Sequence, residues 1–267
     1  MEHLLSRRQL LAALPLGLLF GRGRAQALEN GRSTFAYQLD LSVLFSFLTV
    51  SLSGTVVQDI DRRGGKYRMT MEGQGTGLST RTDASGIIRD GRFMPVETRA
   101  VHHFRGRQNT STTRYDYARQ RAEIHAVTHT LLLGRRRQVD DVLALPADRP
   151  VDDLISAELN FADNALERDA SGAYHTWVIR RARNDNEGPD DVSPGGYRAE
   201  LVPLRFRPSP DPVTGGLTAL VDITRFSSWA RADQPARVNF APDRQLVSIQ
   251  SVLLYGTTLK VRVTGTA

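Results

Sequence analysis

Past the first 27 residues, the side chains suited to chemistry are five histidines, an acidic loop and a glycine-rich stretch. His102-His103 and His125-x-x-x-His129 look like metal ligands. On a strand, neighbouring side chains point to opposite faces, so His102 and His103 cannot hold one ion. His125 and His129 share a face but stand about 13 Å apart along it. A cross-strand pair, His103 with His125, is the arrangement this spacing leaves open. A zinc centre needs three or four converging ligands, so no metal is expected. His175 stands alone.

The other candidates also have plain structural readings. "NDNEGPDD" carries Asp185, Glu187, Asp190 and Asp191, yet it lacks EF-hand spacing and a closing glutamate. It reads as a solvated loop. "GQGTG", residues 73–77, is not followed by Lys-Ser or Lys-Thr and opens no helix. It reads as a bulge or bend in a curved strand. "GRRRQ", residues 134–138, sets three cations at a hairpin tip, where they could meet acidic headgroups or simply water. No G-x-S-x-G elbow or paired-carboxylate motif is present, so an enzyme is not the favoured reading. No cofactor is expected.

The elements that must position these residues are mostly strands. Phe35, Tyr37, Leu39 and Leu41 alternate with Thr34, Ala36, Gln38 and Asp40, the pattern of a half-buried strand. "VLFSFLTV", residues 43–50, is nearly continuous in apolar residues. It predicts a strand buried on both faces or a short helix. Tyr67, Met69 and Met71 share a face after the Gly64-Gly65 turn. Asp90-Gly91 is a strong hairpin signal. Around "PADRPVDDLISAELNFADNALE" the period changes. Val151, Leu154, Ile155, Glu158 and Leu159 predict a short amphipathic helix after Pro150, with acids in its first turn. The C-terminal stretch reads as two or three strands, the last alternating Leu259, Val261, Val263. The expected fold is mainly β: a curved antiparallel sheet, or an open or partial β-barrel, with one or two short helices.

The N-terminus reads as an address. Arg7 and Arg8 precede an apolar run from Leu10 to Phe20, and Ala25-Gln26-Ala27 makes an A-x-A cleavage site at Ala25 and Ala27. Ser6, Arg7, Arg8, Leu10 and Leu11 resemble the twin-arginine signal consensus. A spanning helix needs about 20 apolar residues, and this run is shorter and broken by Pro15 and Gly17, so no stable transmembrane anchor is expected. No Cys follows the site, which excludes a lipoprotein. The expected organisation is a signal peptide over residues 1–27 and one exported β-rich domain over residues 28–267. The expected location is the bacterial periplasm.

Composition agrees with a water-facing globular chain. Of 267 residues, 40% are hydrophobic and mean hydropathy is −0.33. The absence of Cys removes disulfides, cysteine-ligated clusters and thiol catalysis together. The formal charge of +6 falls to about +3 without the leader, which holds Arg7, Arg8, Arg22 and Arg24 against Glu2. The arginines are scattered among acids, not striped along a helix, so no nucleic-acid partner is expected.

With the strands laid out, the chain resembles the exported bacterial family of unknown function DUF3108. The resemblance rests on an opening strand pair, "FAYQLDLSVLFSFLTVSLSG". It rests next on Asp90, Gly91 and Pro95 followed by Tyr115, Asp116 and Tyr117. It rests further on "LALPADRPVDDLISAEL" before a helix and on the final pair, "RVNFAPDRQLVSIQSVLLYGTTLKVRV". The Trp-Leu-x-x-Asp pattern of that family is missing where "RVNFAPD" stands. The resemblance implies an envelope protein with a curved antiparallel sheet and supplies no catalytic residues.

The leading functional expectation is a periplasmic protein that binds an apolar ligand, such as a lipid, or assists envelope assembly, in the concave face of its sheet. Phe45, Phe47 and Leu48 are its candidate ligand residues. The alternatives are a hydrolase with a site built from loops at 73–80, 102–108 and 184–196, or an adaptor that pairs an envelope protein with a sheet edge.

Overall fold

The computed structural model describes residues 28, 30–43, 48–104, 106–130, 133–182, 191–193, 196–224, 230–231 and 233–266. The first half is a meander of long strands. These are β1 (Gly31–Val43), β2 (Leu48–Asp61), β3 (Lys66–Gly75), β4 (Leu78–Arg89), β5 (Arg92–Phe104), β6 (Arg107–Asp116), β7 (Arg121–His129) and β8 (Arg136–Ala144). A short insert follows: β9 (Val151–Asp152), helix α1 (Leu154–Ala162) and β10 (Glu167–Arg168). The second half is β11 (Tyr174–Arg181), β12 (Ala199–Pro210), β13 (Leu217–Val221), β14 (Ala236–Phe240), β15 (Leu246–Val252) and β16 (Thr258–Thr266).

Consecutive strands pair antiparallel from β1 to β8 and from β10 to β16, and β16 returns to pair with β1. The order is therefore β10-β11-β12-β13-β14-β15-β16-β1-β2-β3-β4-β5-β6-β7-β8, with β9 parallel to β11. The sheet curves but does not close. One end strand, β8, meets the chain leading into β12 at a parallel bridge, Val139 to Tyr197, beside which the Asp141 carboxylate accepts the Ala199 N–H at 2.8 Å.

Local sequence explains most of these elements. Asp90 and Gly91 both adopt positive φ, 52° and 78°, as a two-residue turn between paired Arg89 and Arg92 requires. Phe35, Tyr37, Leu39 and Leu41 all face the core, as their alternation predicts. So do Tyr67, Met69 and Met71, and Leu259 and Val261. The glycine-rich stretch lies in β3 and its turn. A Cβ on Gly73 would stand 2.5 Å from Leu52 Cδ2 and run into the Tyr37 hydroxyl. Gly73 is small because an aromatic ring lies across it.

Val43 and Leu48 are the last pair of the β1–β2 hairpin, and residues 44–47 of "VLFSFLTV" lie outside the described residues. One local expectation is corrected. The helix begins later than predicted: Val151 and Asp152 belong to β9, and no acid lies in the first helical turn. Asp153 is instead the N-cap, its carboxylate accepting the Ser156 N–H at 2.6 Å while Ser156 Oγ accepts the Asp153 N–H at 3.0 Å. Nor is α1 a surface helix with one wet face. Every residue from Ile155 to Phe161 is buried.

The reason is position. Helix α1 sits inside the curve of the sheet. Ile155, Leu159 and Phe161 join the main core with side chains from β1–β5 and β14–β16. Ala157 faces the other way, onto Val178, Val202 and Leu204 of β11 and β12. A third cluster, Tyr115, Ala122, Ile124, Val139, Leu145, Val151, Tyr197 and Ala199, lies under the seam where β8 meets the chain leading into β12.

Candidate functional site

The densest buried chemistry lies where α1 enters the sheet. The Asp90-Gly91 turn sets Arg92 at the start of β5, pointing toward the helix. Arg92 donates to Asp152 Oδ2 at 2.6 Å, to Thr176 Oγ1 at 3.4 Å and, through its other terminal nitrogen, to the Ala165 carbonyl at 2.8 Å. One guanidinium thus touches the chain before α1, the chain after it, and β11. Thr176 donates a second hydrogen bond to Asp152, at 2.6 Å.

Asn160, wholly buried on α1, completes the join. Pairing between β5 and β6 covers Glu97–Phe104 only, so the start of β5 has an unladdered edge. The Asn160 carboxamide fills that edge. It accepts the Phe93 N–H at 2.8 Å and donates to the Phe93 carbonyl at 2.9 Å, as a neighbouring strand would. Its amide also donates to Asp152 Oδ1 at 3.2 Å. Thr98 on the same strand donates to Asp153, the helix cap.

Asp152 is 1% exposed. Burial raises its pKa to about 6, against the pull of Arg92 and the hydrogen bonds from Thr176 and Asn160, while the Asp153 charge adds to the rise. Three phenols crowd the same space. Burial pushes Tyr67, Tyr115 and Tyr117 up, and the charges of Asp152 and Asp153 push further. The Tyr117 hydroxyl and Arg92 Nε are buried without hydrogen-bond partners among the described residues. The Tyr67 hydroxyl faces Ser156 but falls outside hydrogen-bond geometry. This network can hold, orient and exchange a proton, and it fastens the helix.

The far end of α1 is fastened differently. Asp163 pairs with Arg62 at 2.7 Å and accepts the Leu28 N–H at 3.2 Å. Arg62 Nη2 also donates to the Leu28 carbonyl at 3.0 Å. Phe161 packs among Tyr174, Phe206 and Phe240, with centroids 5.0, 5.1 and 4.7 Å away. The Arg244 guanidinium lies 5.6 Å from both Phe161 and Tyr174, and it donates to Asn164.

The histidines do not converge. His102 bonds Thr80 Oγ1 at 2.6 Å, His125 bonds Asp140 at 2.8 Å, and His129 meets Asn109 at 3.0 Å. Burial, with His103 beside it, lowers the pKa of His102. His103 cannot reach His125: it stands opposite Gln108 on β6, while His125 stands opposite Thr112. They lie two strands apart and four residues out of register. Among the described residues no three metal-ligating side chains gather.

Of the three stretches expected as cleft-building loops, the structure describes the first two almost wholly. Residues 73–80 and 102–108 are mostly strand, joined by short turns at Gly75–Leu78 and Phe104–Arg107. Residues 183–190, with three of the four acids, lie outside the described residues. Arg137 of the basic cluster is buried rather than solvated, donating to the Asp191 carbonyl at 2.9 Å. Ser6, Arg7, Arg8, Leu10, Leu11, Ala25, Ala27, Phe45 and Phe47 lie outside the described residues. Leu48 opens β2. No helix among the described residues is long and apolar enough to cross a membrane.

A groove of about 390 Å³ opens on the other side of the sheet, away from α1. Its walls come from β1–β4: Arg32, Thr55, Val57, Asp59, Arg68, Thr70, Glu72 and Arg81.

No protein-family model matches the chain, and no curated protein does. Among solved structures, the chain is similar to the crystal structure of a beta-barrel-like protein of domain of unknown function DUF1849 from Brucella abortus. The likeness covers 90% of this chain and 99% of that one, at 10% identity and a TM-score of 0.43.

Proposed function

We propose that this chain is an exported cell-envelope protein that binds an apolar molecule within the curve of its sheet, with α1 as the movable occupant of that space. One observation carries the reading. The concave face is lined by apolar side chains, and a single nine-residue helix covers them, tied at each end by side-chain bonds. Ile155, Leu159 and Phe161 supply the apolar surface that a ligand would otherwise supply. The leader features and the order of the DUF3108-like motifs support placing the protein in the periplasm. Those motifs also meet in space: the Asp90-Gly91 turn, Tyr115, Tyr117 and Asp152-Asp153 all border the network at the start of α1.

The edge-adaptor reading is weaker. The free side of β8 is capped by Arg137 on the Asp191 carbonyl and by Asp141 on the Ala199 N–H, devices that blunt an edge. The hydrolase reading is weaker as well, because each histidine has its own separate partner.

The test is native mass spectrometry of the protein from its own envelope, with organic extraction of what co-purifies. An apolar molecule at one per chain is the expected result. In parallel, Asn160→Ala removes the strand-like bonds to Phe93 and should raise uptake of an apolar fluorescent probe several-fold over wild type. A bare mass, together with no probe uptake by either form, overturns the reading.

A further inference from the structure

The outer groove is independent of the interior and carries its own chemistry. Its residues alternate along β2 and β3 with the core side chains Val56, Ile60, Tyr67, Met69 and Met71, so they face away from α1. Arg32, Asp59 and Arg68 stand in one register row across β1, β2 and β3. A carboxylate flanked by two guanidinium groups would ordinarily pair with one of them. Here neither arginine makes an ion pair or hydrogen bond among the described residues. The neighbouring Arg81, in contrast, is held by Glu72 and by Asp83 at 2.7 Å. The groove therefore offers two guanidinium groups with unfilled hydrogen-bonding positions, Arg68 lying within the field of the Asp83 carboxylate. It also offers the Asp59 carboxylate, the lone pairs of Glu72 that Arg81 leaves open, the Thr55 hydroxyl, the Thr70 oxygen as an acceptor while its proton goes to Asp83 at 2.9 Å, and an apolar patch at Val57.

That set selects a ligand class. A simple anion would use the arginines but be repelled by Asp59 and Glu72. A neutral sugar would use the acids and leave the arginines unmatched. A ligand that joins one carboxylate to several hydroxyls uses both, and its C–H face can rest on Val57. The volume lies within the usual range for small-ligand sites, about 300–1,000 Å³. We propose that this groove binds an acidic saccharide, its carboxylate held by Arg32 and Arg68 and its hydroxyls donating to Asp59 and Glu72.

The experiment is a backbone-amide NMR titration of the purified chain with sodium glucuronate, glucose and sodium acetate in turn. Glucuronate should shift amides of β1–β4 in a saturable way, and glucose and acetate should each bind at least tenfold more weakly. Arg68→Ala and Arg32→Ala are exposed substitutions that leave the core intact, and each should weaken glucuronate at least tenfold. No saturable shift with glucuronate overturns the proposal. So does equal binding of acetate, or unchanged affinity in both variants.

Discussion

The two ends of α1 are each closed by an aspartate and an arginine, in different surroundings. At the entry, Arg92 and Asp152 are 17% and 1% exposed, and the carboxylate gains two further donors. At the exit, Arg62 and Asp163 are 30% and 7% exposed, and the pair leans on an aromatic cluster and a backbone N–H. The Asp152 carboxyl resists being charged, because burial outweighs the pull of Arg92. The exit pair keeps more water. The difference teaches that an ion pair can specify a position without being a strong source of stability. Its value depends on what the partner suffers when left alone.

The sharpest way to break this comparison is to remove Arg92. Arg92→Ala leaves Asp152 buried beside Asp153 and frees the Ala165 carbonyl. We expect a loss of about 3–5 kcal/mol in urea unfolding. A loss below about 1 kcal/mol, the level of an exposed pair, would remove the distinction between the two ends.

A second test uses pH. Asp152 holds its proton more tightly folded than unfolded, since its pKa rises from 3.8 to about 6. Its contribution to stability is therefore fully present below 3.8 and is lost as pH rises to about 6. Asp152→Asn removes that dependence. The stability of wild type minus that of the variant should fall across this interval and level off above it. A flat difference would mean that burial does not govern this carboxylate.

The smallest effect is expected at the exit. Arg62→Ala leaves Asp163 its bond from the Leu28 N–H, at an end where the departing guanidinium, 30% exposed, admits water in its place. About 1 kcal/mol should be lost, and the loss should shrink further in high salt. A cost equal to that of Arg92→Ala would show that both ends are alike.

Much of the fold was legible because strands and turns are written locally. The alternation in residues 34–41, the Asp90-Gly91 turn and the last strands each need only their own neighbours. The network at α1 was not legible in that way. Arg92 and Asp152 are 60 positions apart, and Asn160 reaches Phe93 across 67. No period in the sequence joins them. A residue that ties off a sheet edge with its carboxamide looks, in one dimension, like any helical asparagine. The helix was legible as an element but not as a buried one. "LISAELNFA" carries Ser156, Glu158 and Asn160, polar types that suggest a wet face, whereas the fold gives Ser156 and Asn160 internal partners. The outer groove was invisible to sequence because Arg32, Asp59 and Arg68 meet only through register.

The pairing of β1 with β16 has a consequence for how the molecule is made. Asp40 and Arg262 are joined by a hydrogen bond although 222 positions separate them. On the ribosome, β1 waits for its partner β16 while all the strands between them are made. Its Phe35, Tyr37 and Leu39 stay half-covered for that whole time, a window in which a chaperone has something to hold. The same adjacency makes the topology a ring with a nick. A circularly permuted gene that joins the two terminal strands and opens at the Thr76-Gly77 turn keeps every ladder, and it shortens that wait to the length of a hairpin.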